Sequence, residues 1–158
     1  MLAEEIGRSL KSKKLTLATA ESCSGGKVGD WITEVPGSSD YYLGGVISYS
    51  NDAKFRVLGV DRKTLDAKGA VSEEVALQMS EGARKALAAD IGIGITGIAG
   101  PSGGTQSKPV GLVFIAVSSS KGSVCVENHF RGSRSQVKEQ AAEKALQMLK
   151  EFITQTYA

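Results

Sequence analysis

Ile91, Ile93 and Ile95 alternate with Gly92, Gly94 and Thr96, a period-two run with one apolar face and one nearly bare face. A strand of this kind is stable only where something else comes close enough to cover the glycines. The run therefore predicts a sheet with a tightly packed neighbour on one side.

The elements around it alternate in type. Leu2, Ile6 and Leu10 recur at helical spacing, and Lys11, Lys13 and Lys14 follow as a solvated helix end. Leu15 to Ala20 reads as a buried strand. Val28, Trp31, Ile32 and Val35 then predict a helix that begins near Ser24 and stops before Pro36. Val46 to Ser50 is the next strand by its pattern, with Asn51 as N-cap of a helix carrying Ala53, Phe55, Val57 and Leu58 up to Gly59. Ser72 is placed to cap a longer helix with Val75, Met79, Ala83 and Leu87 inward and Gly82 allowing close packing. After the loop from Gly97 to Pro109, Val110 to Val117 and Val124 to Phe130 form a strand pair turning at Lys121-Gly122. A last helix points Val137, Ala141, Ala145, Met148, Leu149 and Phe152 inward.

Strands that alternate with helices and then pair directly argue for an α/β fold, a three-layer α/β/α sandwich with a mixed sheet. At 158 residues, with no repeat or linker, the chain reads as a single domain, 1–158. A net charge of +2 without basic runs argues against nucleic-acid binding, and no apolar stretch approaches the ~20 residues that span a bilayer. Cys23 and Cys125 sit in strand contexts that do not suggest a disulfide framework, and the first turn is acidic, so a cytoplasmic protein is expected. A flat sheet edge or helix face in a domain this small makes a homo-oligomer the expected assembly.

Glu21-Ser22-Cys23-Ser24-Gly25-Gly26 lies where the first strand gives way to a helix. Backbone N–H groups converge at such a turn, which holds an anion or projects a nucleophilic serine. A plain capping serine fits the same spacing, and Cys23 is a second possible nucleophile. With His129 the only histidine, an activated Ser22 calls for another base. Lys54, in the first turn of its helix, is the best local candidate, because a positive helix end and partial burial both favour the neutral amine. Tyr49 and Asn51 flank it and could orient it, pack or cap.

Gly92 to Gly97 matches G-x-G-x-x-G, but inside a strand and before a Pro/Gly loop, so a dinucleotide fold is rejected. No metal-ligand spacing occurs, and no cofactor is expected. Thr96, Gly97 and Gly100, with Gly103 and Gly104, make a donor-rich loop suited to a phosphate or ribose. Arg131 and Arg134 follow the last strand and could add a bidentate phosphate contact or be surface charges.

Four blocks in order resemble the C-terminal domain of the competence/damage-inducible CinA family, also known as the nicotinamide-nucleotide amidase family. They are Ala20 to Gly26, Tyr49 to Lys54, Gly69 to Ser72, and Thr96 to Pro101 with Lys108 to Gly111. Ser24 departs from the threonine common at its position. The resemblance implies a Ser/Lys amidohydrolase that converts nicotinamide mononucleotide to nicotinic acid mononucleotide and ammonia. It implies catalytic roles for Ser22 and Lys54 with Tyr49 beside them, and a small nucleotide as partner. Many relatives carry a further N-terminal domain, so this sequence is expected to be a stand-alone form. The alternative is a nucleotide-binding or competence-related regulatory domain without catalysis.

Overall fold

In the computed structural model, which describes residues 1–158, the isoleucine–glycine run is the central strand of a five-stranded mixed sheet. The strands are β1 (Leu17–Glu21), β2 (Tyr42–Ile47), β3 (Ile91–Gly97), β4 (Leu112–Ser119) and β5 (Gly122–His129), in the order β2-β1-β3-β4-β5. β1 pairs parallel with β2 and β3, whereas β4 runs antiparallel to both its neighbours. Helices α1 (Leu2–Lys13), α2 (Lys27–Thr33) and α6 (Arg134–Thr156) cover one face. Helices α3 (Asn51–Leu58), α4 (Arg62–Lys68) and α5 (Glu73–Ala86) cover the other. The architecture is the three-layer sandwich expected.

The alternation in β3 sorts the two interiors. Ile91, Ile93 and Ile95 are fully buried with Leu17, Val113, Ile115 and Val117 beneath α1, α2 and α6. Each such side chain contributes roughly 1.5–3 kcal/mol on leaving water. The inward residues foreseen on α6, from Val137 to Phe152, all join this core. On the opposite face Ala18 and Ala20 lie under Val75, Met79 and Ala83 of α5. Gly92 and Gly94 let α5 approach so closely that a methyl group on either would collide with the carbonyl oxygens of Ser80 and Ala76. Gly82 gives α5 the same closeness to the Leu58 carbonyl.

Several local expectations are corrected. β2 starts at Tyr42, not Val46, because Gly44 and Gly45 pair with β1 despite their low strand preference. The Thr19 and Tyr42 hydroxyls, 2.7 Å apart, occupy the space above Gly45. Ser50, not Asn51, caps α3, its hydroxyl accepting from the Ala53 N–H at 3.0 Å. Of the apolar residues on α3, Leu58 turns in together with Lys54, whereas Phe55 and Val57 face outward. Phe55 is covered by the Arg62 guanidinium, 4.3 Å from its ring. α4 was not anticipated; its seven residues bury only Leu65 and so show no clear period. The β4–β5 hairpin turns at Ser120-Lys121, since Ser119 pairs with Gly122. No helix is long and apolar enough to cross a membrane.

The contact between α5 and β3 yields a test. Gly94→Ala is expected to destabilise the fold by about 3 kcal/mol, because the obstacle is backbone rather than a movable side chain. The midpoint of urea unfolding measures it.

Candidate active site

β1, β2 and β3 are parallel and end at the same edge of the sheet, with the chain leaving central β1 for β2 on one side and reaching β3 on the other. Ligands of open α/β sheets bind in such a crevice beyond the carboxyl ends of the strands. A cleft of about 270 Å³ lies there. Ser22 and Cys23 enter it after β1, Tyr49, Asn51 and Lys54 after β2, and Thr96 and Gly97 from the end of β3 with Gly100 after it. β5 ends at this edge too, which brings Arg134, the first residue of α6, to the cleft wall.

The turn after β1 is organised by a carboxylate. Glu21 is 2% exposed and accepts from the Ser24 hydroxyl at 2.7 Å and from the Val28 and Gly29 N–H groups at 3.0 Å each. Such charge-assisted bonds satisfy a buried anion and fix the donors around it. Drawing residues 22–26 around Glu21 requires left-handed backbone at Gly25 (φ 65°) and Gly26 (φ 101°). For this reason α2 starts at Lys27 rather than near Ser24. The Ser22 N–H is tied to the Ile95 carbonyl at 3.0 Å, so the candidate nucleophile is pinned to β3. Neither the Cys23 nor the Ser24 N–H donates to a backbone carbonyl, and the Cys23 N–H meets only its own thiol.

Lys54 is 2% exposed and its Nζ donates to Ser22 Oγ at 2.9 Å and to the Ser48 carbonyl at 2.6 Å. No carboxylate is within ion-pair distance of it. Burial disfavours the ammonium form and lowers its pKa from 10.5 to about 8. At pH 7 about a tenth of Lys54 is then uncharged. A neutral amine that gives one N–H to the Ser48 carbonyl turns its lone pair toward the Ser22 hydroxyl. Burial pushes the adjacent Cys23 thiol up to about 12, so Cys23 stays protonated and non-nucleophilic at neutral pH.

On the far wall, Thr96 Oγ1 donates to the Ala70 carbonyl at 2.8 Å and joins the Gly69–Ser72 turn to the cleft. Arg134 spans the mouth, donating to the Gly100 carbonyl at 2.6 Å and to the Tyr49 hydroxyl at 2.9 Å. Tyr49 is 64% exposed and meets Arg134 rather than Lys54. Ser24 is buried behind the turn on Glu21, and Gly25 and Gly26 shape the turn without lining the cleft. Arg131 is exposed and lies outside the cleft, its carbonyl accepting from Gln140 at 2.7 Å.

Sequence reasoning did not single out Glu21 or Ser48. A carboxylate directly before a candidate nucleophile, at the end of an otherwise apolar strand, was the available signal for Glu21. Ser48 acts through its carbonyl, for which no residue type is diagnostic. A larger apolar groove of about 390 Å³, between Leu2, Trp31 and Leu146, contains no nucleophile–base pair.

The lysine leaves a mark on stability. Its folded pKa lies below that of an unfolded lysine, so the folded chain sheds this proton first and the group's contribution rises with pH from about 8 toward 10.5. Relative to Lys54→Met, the wild type is expected to gain about 1 kcal/mol of unfolding free energy between roughly pH 7.5 and 9. Urea titrations of both proteins at the two pH values measure the difference.

Residues 1–153 match the CinA C-terminal domain family. A CinA-like protein of Chlorobium limicola is 49% identical over 150 residues, covering 92% of this chain and 35% of that protein. The chain spans about a third of the length of such curated relatives. The solved structure of a competence/damage inducible protein from Agrobacterium tumefaciens superimposes with a TM-score of 0.93 at 39% identity, covering 95% of this chain and 92% of that one. A CinA superfamily protein from Klebsiella pneumoniae gives a TM-score of 0.94 at 34% identity over 98% of this chain and 96% of that one. The chain belongs to the CinA C-terminal domain family.

Proposed function

We propose that this protein is an amidohydrolase that deamidates nicotinamide mononucleotide, giving nicotinic acid mononucleotide and ammonia, and so serves the recycling of pyridine nucleotides. The observation that carries the reading is the buried contact of 2.9 Å between Lys54 Nζ and Ser22 Oγ, with no carboxylate to hold the lysine charged. A merely capping serine has no need of a desolvated amine. The substrate is the one implied by the resemblance to nicotinamide-nucleotide amidases, and the polar cleft with its glycine loop and Arg134 is compatible with a ribose phosphate.

In this mechanism Ser22 Oγ attacks the carboxamide carbon while its proton passes to neutral Lys54. The oxyanion is held by the Cys23 and Ser24 N–H groups, neither of which is taken by a backbone carbonyl. Lys54 returns the proton to the departing nitrogen, ammonia leaves, and an ester on Ser22 remains. Water then adds to the ester with Lys54 again taking a proton, and the carboxylic acid product departs as Ser22 is regenerated. Arg134 and the loop from Thr96 to Gly103 hold the phosphate, which fixes the ring relative to Ser22.

Ammonia release from nicotinamide mononucleotide tests the proposal. Ser22→Ala and Lys54→Ala are each expected to lower kcat by about a thousandfold or more with folding retained. The base must be neutral, so kcat/KM is expected to rise with pH through a midpoint near 8 and then level off. Tight nucleotide binding without ammonia release would instead favour a non-catalytic binding domain.

A further inference from the structure

Beside the nucleophile turn stands a cation that the mechanism above does not use. Lys138 lies one helical turn beyond Arg134 on α6, so the two side chains project from the same face. Its Nζ is only 3.4 Å from the position a Cβ on Gly25 would occupy. The ammonium thus rests on the turn that carries Ser22. Its charge pulls the Cys23 thiol downward against the larger effect of burial, which places it near the cleft-lining Cys23.

Neither Lys138 nor Arg134 has an acidic partner among the ion pairs of the protein. Lys138 Nζ donates to no protein acceptor, and Arg134 spends its donors only on the neutral Gly100 carbonyl and Tyr49 hydroxyl. Glu21 is the nearby carboxylate, but it is buried behind the turn and its oxygens are taken by Ser24, Val28 and Gly29. Two uncompensated cations a helical turn apart, Arg134 on the cleft wall and Lys138 against the turn that carries Ser22, suit a dianion that can accept from both.

We propose that Lys138, together with Arg134, forms a phosphate-binding subsite of the cleft, with Lys138 as a specificity-determining residue for phosphate monoesters. The identity of the phosphate's carrier rests on the amidase reading, whereas the subsite itself does not. Gly25 is required for its left-handed backbone, φ 65°, and the ammonium sits at ordinary contact distance from the position of a Cβ there.

The test has two arms. In the first, inorganic phosphate is titrated at low ionic strength into the wild type, Lys138→Gln, Lys138→Arg and, as a remote control, Lys63→Gln. Lys138→Gln is expected to weaken phosphate about tenfold, with Lys138→Arg and Lys63→Gln within about threefold of the wild type. In the second, KM for nicotinamide mononucleotide rises about tenfold in Lys138→Gln with kcat unchanged, while turnover of the riboside lacking the phosphate is unaffected. Phosphate binding that is absent from the wild type or indifferent to Lys138→Gln would overturn the subsite. Equal losses on nucleotide and riboside would also overturn it, by placing Lys138 at the carboxamide end. Phosphate binding as expected without any turnover by the wild type would remove the amidase reading and leave the subsite standing.

Discussion

A lysine amine taken out of water without a carboxylate beside it is the constraint around which the site is arranged. Lys54 is held by a serine hydroxyl and a backbone carbonyl, both neutral, so no opposite charge offsets the lost hydration of its charged form. Burial lowers the amine's pKa to about 8, which makes the uncharged form accessible near neutral pH, and an uncharged amine touching a serine hydroxyl has the geometry of a base beside a nucleophile. The same burial acts on Cys23 with opposite consequence, since a thiol that keeps its proton is inert. One desolvated corner therefore sets the neighbouring Ser22 and Cys23 apart, the hydroxyl against an amine and the thiol holding its proton.

The fold supplies that corner through close backbone packing. Bare glycines on β3 bring α5 down onto the sheet, and the isoleucines on its other face anchor the layer formed by α1, α2 and α6. With β3 fixed between them, its Ile95 carbonyl holds the Ser22 N–H, and Glu21 gathers the turn from behind. The lysine arrives from the adjacent strand connection, where the Ser50 cap starts α3 at the register that turns residues 54 and 58 inward. Three strand ends thus bring Ser22, Lys54 and the glycine loop to one edge of the sheet.

Much of this was legible in the sequence because it rests on periodicity and on turn chemistry. The alternating Ile/Gly strand, the inward face of α6 and the strand–turn–helix around Ser22 follow from spacing alone. The register of α3 was not legible: a pattern that assigns apolar residues to the interior puts Phe55 and Val57 inside, whereas the helix faces Lys54 inward and covers Phe55 with Arg62. The Gly44-Gly45 pair hid the start of β2, since neighbouring hydroxyls rather than its own side chains fill the space there. Between orienting Lys54 and packing, local pattern does not decide for Tyr49; in the structure it shares the cleft with Lys54 and meets Arg134, a contact across 85 residues. Ser48 was invisible because its part is played by the main chain.

The central claim is the protonation state of Lys54, and the most direct measurement is an NMR titration of its side-chain Cε and Nζ resonances, assigned by comparison with Lys54→Met. The account predicts a midpoint near 8, well below that of the exposed lysines. A midpoint at the ordinary lysine value, above 10, would contradict it, because an amine charged throughout the neutral range could not take the proton of Ser22.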